Sequence, residues 1–374
     1  MQFKIFNLLY YMSVAAFGYL NVYLSDIGLS SGEIGIINSV ATGAALLALP
    51  LWGILSDYYK MNKKLLLITI SGATVFSLSL LLTENFLLIM LLMVLFLIFR
   101  EAVVPLFDAQ LLGYLGKEGK QYGKYRLWGS LGYTIMMPVI GYFLEQTTSL
   151  NLFYVIGITL FITLFTVKKL PETKAKIEVS KLNDFKFLLK QQGLFIFIIF
   201  AFLLNLTMRV NNYYLPIYMV DHGGREFLLG IAFMLSAGSE MVVFYFSESI
   251  IKKFKLKKIM LFTAVAFALR WLILGAFAVP SIILASQLLH SVTFGLFHIS
   301  AINYINQVSG AKFKATGQNL YATVNGISGI VGSFLGGQVY DFFGGSNLYF
   351  LLSLIAVLSG IYYYIFSKQQ VSKR

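Results

Sequence analysis

Eight stretches of this 374-residue chain run for 18 to 26 residues without a single Asp, Glu, Lys or Arg: 5–25, 34–56, 65–83, 127–144, 146–167, 191–208, 315–340 and 342–367. A bilayer offers no partner for exposed backbone amides, so each crossing of about twenty apolar residues has to be helical. A ninth run, 271–311, is too long for one helix, and Ala278-Val-Pro-Ser281 breaks it in two. Single charges interrupt the remaining spans, around Arg100, Glu101 and Asp108, around Arg209, around Glu240 and around Arg270. The count predicts an all-α polytopic membrane protein of twelve transmembrane helices. Composition agrees, because 58% hydrophobic and 12% charged residues exclude a water-soluble surface. The chain has no cysteine, which excludes disulfides, thiolate metal sites and cysteine nucleophiles. The first apolar run starts after Lys4, is too long for a signal-peptide core and lacks a small-residue cleavage site, so it is expected to remain as the first span.

Loop charges test the count independently, since Lys and Arg concentrate on the cytoplasmic side of short loops. With the N-terminus inside, one side holds Lys4; Lys60, Lys63 and Lys64; Lys117, Lys120 and Lys124; seven lysines from Lys168 to Lys190; Lys252, Lys253, Lys255, Lys257 and Lys258; Lys312 and Lys314; and Lys368, Lys373 and Arg374. The opposite loops hold only Arg225. Both termini are therefore expected in the cytoplasm. The formal net charge of +13 is mostly this orientation signal, and it gives no reason to expect nucleic acid as a partner.

The longest polar stretch falls between spans six and seven and reads as a linker. The expected organisation is a six-helix bundle at 1–167, a cytoplasmic linker at 168–192, a second six-helix bundle at 193–367 and a cytoplasmic tail at 368–374. Within the linker, Leu182, Phe185 and Leu189 share a helical face, so a short interfacial helix and a solvated loop are both open. Sliding the chain on itself by 195 residues superimposes Tyr19-Leu-Asn-Val-Tyr-Leu-Ser-Asp-Ile-Gly28 on Tyr214-Leu-Pro-Ile-Tyr-Met-Val-Asp-His-Gly223, and Gly35 on Gly230. Span one thus matches span seven in the same orientation. Parallel repeats of six spans are a transporter architecture, with the solute bound between halves near mid-membrane.

A charge at the centre of a membrane helix costs roughly 2.5–3.5 kcal/mol on insertion scales, so such residues pair or serve function. Seven stand within these spans: Arg100, Glu101, Asp108, Arg126, Arg209, Glu240 and Arg270. Glu101 and Asp108 are seven residues apart, which places both carboxylates on one helical face. Asn205, Arg209 and Asn212 form a similar stripe on span seven. His290 and His298, eight residues apart, fall about 80° out of phase on an α-helix. The plain reading is a set of structural ion pairs; clustering in the middle of both halves favours a polar cavity, with Arg126 and Glu240 the foremost functional candidates. The two histidines lack a third ligand, so no metal is expected, and no cofactor motif or catalytic spacing is present. Trp128 and Trp271 each lie within two residues of an intramembrane arginine. Gly326, Gly329, Gly332 and Gly336 on span eleven, with Gly129 and Gly132 on span five, predict close helix packing.

Pro50-Leu-Trp-Gly-Ile-Leu-Ser-Asp57 followed by Lys63-Lys64 resembles the cytoplasmic loop signature of the major facilitator superfamily, with Gly53, Asp57, Lys63 and Lys64 as its conformational residues. Lys60 stands where that signature has glycine, and Asn62 where it has a basic residue. Tyr122-Gly-Lys-Tyr-Arg-Leu-Trp-Gly-Ser130, with Asp108 eighteen residues before Arg126, is similar to the branch containing lactose permease, nucleoside-proton symporters and phenylpropionate-permease-like transporters. Ala268-Leu-Arg-Trp271 and Leu289-His-Ser-Val-Thr-Phe-Gly-Leu-Phe-His298 most resemble the last of these. The resemblance implies the major facilitator fold, and it implies that Asp108 and Arg126 grip substrate hydroxyls, with Ser130 one turn along. Trp128, Asn205, Arg209 and Asn212 complete the expected substrate site. The resemblance also implies that Glu240, Arg270 and His290 couple protonation to opening, Thr293 standing where the family has a carboxylate. Glu240, Asp108 or Glu101 then carries the proton.

The expected activity is proton-coupled symport of a small polar solute, sugar or oligosaccharide first, by alternating access of the two bundles. Import of an aromatic carboxylate or a nucleoside, proton-driven efflux, and a transport-dead sensor or intramembrane enzyme are the rivals. The expected partners are the solute, the proton and the lipid bilayer. The chain is expected as a monomer in the cytoplasmic (plasma) membrane.

Overall fold

The structure, a computed structural model, describes residues 1–59, 62–116, 122–171 and 182–368, apart from the side chains of Asp57, 182–185, 311–312 and 368. Lys60, Lys117, Lys120, most of the linker and the tail beyond 368 lie outside the described residues. The described residues hold only helices and short connections, with no strand.

Eleven helical stretches among them are long and apolar enough to cross a membrane: Gln2–Asp26, Ser31–Ser56, Asn62–Leu82, Phe86–Leu115, Tyr122–Gln146, Ser149–Lys168, Gln192–Asp221, Glu226–Lys253, Leu256–Ala276, Pro280–Gly310 and Phe313–Ser367. The last is 55 residues long, about twice what a crossing uses. It breaks at Gly344, whose φ of 81° and ψ of 165° no helix contains, so it supplies spans eleven and twelve. The helix after span nine starts at Pro280, where proline suits a first turn and lacks only a donor that would be unsatisfied anyway. Between spans six and seven a short helix, Leu182–Leu189, forms; Leu188 is buried and Phe187 packs on Phe313 with ring centroids 5.1 Å apart.

Chain contacts divide the protein into two compact units, one of Met1–Val179 with Arg225–Met234 and one of Ser180–Gly224 with Leu235–Arg374. The 195-residue repeat recurs inside them at the level of single hydrogen bonds. In the first unit Gly28 N–H donates to the Ser25 carbonyl (2.9 Å) and Leu29 N–H to Leu24 (3.1 Å). In the second, Gly223 N–H donates to Val220 (3.0 Å) and Gly224 N–H to Met219 (2.8 Å). Both helix ends need a left-handed residue, and Gly28 (φ 89°) and Gly223 (φ 83°) supply it. The buried Tyr19 hydroxyl donates to the Met137 carbonyl of span five at 2.6 Å, and its repeat mate Tyr214 donates to the Ser333 carbonyl of span eleven at 2.5 Å.

Glycine permits these approaches. A Cβ on Gly141 would stand 2.6 Å from the Tyr19 hydroxyl, and one on Gly336, again 195 residues on, 2.9 Å from the Tyr214 ring. Gly332 faces Val210 and the Leu206 carbonyl, and Gly129 faces the Tyr11 ring. Span five therefore packs on span one, and span eleven on span seven, through the same small-residue device. At Gly132 a side chain would overlap the Leu8 backbone carbonyl, which cannot rotate aside. Gly132→Val should lower the thermal midpoint of the detergent-solubilised protein, at a cost of about 1–3 kcal/mol or more typical of overpacking. Gly123→Ala, with nothing within 4 Å of the added carbon, should leave it in place.

Candidate functional site

Polar side chains gather at two places, one inside each unit. In the first unit, span four runs thirty residues and carries Arg100 and Glu101 at its middle, with Asp108 two turns on. Arg100 pairs with its neighbour Glu101 and lies over the Phe17 ring of span one at 4.2 Å. This arginine is answered locally by a carboxylate and an aromatic face. Glu101 is about half exposed.

Arg126, one turn into span five, lies over the Tyr11 ring with its guanidinium carbon 4.6 Å from the centroid. Gly129, one turn later, leaves the space in which Tyr11 sits. Asp108 interacts with the Tyr122 hydroxyl and, through space, with Arg126. No ion pair within 4 Å closes between Asp108 and Arg126. Instead Asp108 Oδ1 and Arg126 Nη1 are buried without a hydrogen-bond partner. An unpaired buried carboxylate oxygen costs several kcal/mol in an apolar setting, and an unpaired guanidinium edge as much. Two such groups of opposite charge, held on a rigid aromatic platform, form a donor and acceptor set for a hydroxyl-bearing or charged solute. Ser130 is exposed further along the same helix. Trp128 takes Lys4 rather than Arg126 as its cation, at 5.8 Å.

In the second unit Arg270 of span nine is fully buried. Its Nη1 donates to His290 Nδ1 (3.1 Å) and Thr293 Oγ1 (3.0 Å), and its Nη2 to Gln287 Oε1 (2.7 Å). His290 Nε2 meets Glu240 Oε1 of span eight at 2.7 Å. Ser236, one turn before Glu240, donates to Gln287 Oε1 at 2.9 Å. Thr293, where the resemblance led to the expectation of a carboxylate, is thus a neutral ligand of the arginine. Span ten widens into a π-helical turn at Ser291–Gly295. Each residue of such a turn advances by less than the 100° of an α-helix. The 80° offset expected between His290 and His298 is thereby corrected: His290, Phe294 and His298 stack in one column, with successive centroids 5.3 Å apart.

Span seven's stripe divides. Arg209 Nε donates to Asn325 Oδ1 of span eleven at 3.0 Å, Asn205 is buried beside Tyr321, and Asn212 is exposed. Of the loop residues, Gly53 has open space around it, Lys63 donates to the Leu170 carbonyl at 2.8 Å, and Lys64 is exposed. The Asp57 side chain lies outside the described residues. Sequence reasoning passed over Tyr11, Tyr122, Gln287 and Ser236. For two of them the signal was spacing: Tyr122 precedes Arg126 by one turn, and Gln287, His290 and Thr293 recur every third residue.

The MFS_1 like family model matches residues 1–351. Maltose permease of Geobacillus stearothermophilus is 26% identical over 373 residues, spanning 98% of this chain and 95% of its own length. The probable 3-phenylpropionic acid transporter of Escherichia coli is 23% identical, spanning 93% of each chain. The crystal structure of the nucleoside transporter NupG superposes with a TM-score of 0.88 at 17% identity, over 98% of both chains, which is a likeness of fold.

Proposed function

This chain belongs to the MFS_1 like family, and from that premise we propose that it is a proton-coupled symporter that imports a sugar or oligosaccharide by alternating access. It is an integral membrane transporter; the solute, the proton and the direction are the proposed part. The observation that carries the solute class is the pair of unpartnered buried groups, Asp108 Oδ1 and Arg126 Nη1, beside the Tyr11 ring. A carboxylate accepts from sugar hydroxyls, a guanidinium edge donates to them, and an aromatic face covers the apolar side of a pyranose. The maltose permease relative, aligned over nearly the whole chain, supports the same class. Glu240, Arg270 and His290 are assigned to proton coupling, with both termini cytoplasmic and the six-span halves at 1–167 and 193–367 acting as the moving bodies.

One observation favours a second solute. Of the four intramembrane arginines, only Arg100 has a carboxylate within ion-pair distance among the described residues. Arg126 and Arg209 are left with a neutral partner or none, a surplus that suits an aromatic carboxylate such as the one named for the Escherichia coli relative. Proteoliposomes with an imposed proton gradient, offered radiolabelled sugars, nucleosides and aromatic acids, decide between the readings. Accumulation of a sugar, competed by sugars and not by 3-phenylpropionate, is the expected result. Competition by the acid alone selects the second reading, and extrusion in place of accumulation overturns import.

A further inference from the structure

Arg270 presents five N–H donors and no acceptor, so any atom it hydrogen-bonds must supply a lone pair. His290 Nδ1, 3.1 Å from Arg270 Nη1, is such an atom. A neutral imidazole with a bare Nδ1 carries its proton on Nε2, and here Nε2 faces Glu240 Oε1 at 2.7 Å. The assignment of the ring nitrogens follows from the contacts: turning the ring over would place carbon against both the guanidinium and the carboxylate. Among the described residues, Arg270 of span nine and Glu240 of span eight are the charged groups that act on His290; Tyr349 of span twelve and Glu240 act on Arg270, and Glu240 also acts on His298.

We infer that Arg270 is a positioning residue that locks His290 in the Nε2–H tautomer, making the ring a fixed donor to Glu240 and leaving Glu240 as the member of the cluster that gains and loses the proton. A second ring proton would have to sit on Nδ1, directly against an Arg270 N–H. The ring therefore has no vacancy while the arginine stays. A proton arriving at Glu240 goes to the carboxylate oxygen turned away from the ring, because Oε1 already accepts from Nε2–H.

The arginine is aimed by neutral groups. Gln287 Oε1 accepts from Arg270 Nη2, and the Gln287 amide is itself oriented by donation from Nε2 to the Ile283 carbonyl at 2.9 Å. Thr293 donates its own hydroxyl proton to the Leu289 carbonyl at 2.9 Å, so its lone pairs are free for Arg270. Neutral acceptors fix the direction of the guanidinium without neutralising it. Its charge is then answered by Glu240 across the imidazole, and movement of either charge is felt by the other through one ring.

The inference deepens the coupling role proposed for Glu240 and rests on it for its consequence, but its test does not. The full-length protein in lipid nanodiscs, labelled with ring-¹⁵N histidine, gives signals from its three histidines, and His290→Asn identifies that of His290. At neutral pH the expected signal is a pair of well-separated ring resonances, with the proton coupled to Nε2. Arg270→Met should shift that pattern toward tautomer averaging or the doubly protonated ring. If Arg270→Met does not fold, Gln287→Met, which keeps the arginine but removes its anchor, should give a smaller shift in the same direction. An Nδ1–H or doubly protonated ring in the unaltered protein, or an unchanged pattern in a folded Arg270→Met protein, overturns the lock. A chain that shows the Nε2–H pattern yet moves no proton with its solute refutes the coupling proposal and leaves the lock standing.

Discussion

Uptake of the transported solute is expected to fall by about a hundredfold in both Asp108→Asn and Arg126→Ala, with membrane insertion and yield unchanged. A hydrogen bond to a charged group contributes about 1.5–3 kcal/mol, and each 1.4 kcal/mol is a factor of about ten, so losing one or two of them spans that range. Asn keeps the shape of Asp108 and replaces one acceptor oxygen by a donor, which reverses the polarity of the atom now left unpartnered. Ala removes the guanidinium that lies over Tyr11. Insertion should survive, because both changes delete a charge that is costly to place in a membrane helix. Arg126→Lys separates charge from geometry: the ammonium is a compact point charge without the planar fork, so it should bind the solute weakly and lose its fit to the Tyr11 face. Initial rates and equilibrium binding of labelled solute read all three. Normal uptake by Asp108→Asn or by Arg126→Ala would remove these residues from the solute site.

The spans were legible because lipid enforces a simple rule. A crossing must be helical, apolar and about twenty residues long, so charge-free runs mark it with little interference from tertiary context. Even the 55-residue helix at the C-terminal end reads as two crossings from Asp341 in its sequence, close to the Gly344 break. The repeat was legible in Tyr19 and Tyr214, and the structure gives those identities their reason: each ties the first helix of its repeat to the fifth through one hydroxyl and one backbone carbonyl. Charged candidates were equally visible, since a lone arginine in a run of leucines has no second explanation in composition.

Composition did not mark the remaining uncharged members of each cluster. Tyr11 and Tyr122 are two of 23 tyrosines, and nothing in composition separates a tyrosine under a guanidinium from one against a lipid tail. Gln287 and Ser236 look like ordinary polar residues of a membrane helix until Arg270 is placed against Gln287, and Gln287 against Ser236. The stack of His290 on Phe294 and His298 was misjudged for a different reason. Phase arithmetic assumes 100° per residue, and five residues of π-helical turn within span ten break that assumption.

Glu240→Gln should abolish gradient-driven accumulation while sparing solute binding and exchange. Glutamine retains the size of Glu240 and a carbonyl oxygen able to accept from His290 Nε2, so the contact at 2.7 Å has a neutral replacement. It has no proton to lose. A membrane potential of about 100 mV contributes about 2.3 kcal/mol for each charge moved, which sets an accumulation of roughly fiftyfold for one proton per solute. In the variant that ratio should collapse to about one, and the alkalinisation that accompanies solute entry should disappear with it. Counterflow, which needs only the solute site and the conformational cycle, should continue. Persistence of solute-driven proton movement would exclude Glu240 and leave two other carboxylates. Glu101 is paired with Arg100 and half exposed, whereas Asp108, in the proposed solute site, has a buried oxygen without a partner. A carrier at Asp108 would make solute and proton share one carboxylate, so solute binding itself would then become pH-dependent in the Glu240→Gln protein, and equilibrium binding across pH would separate the two carriers.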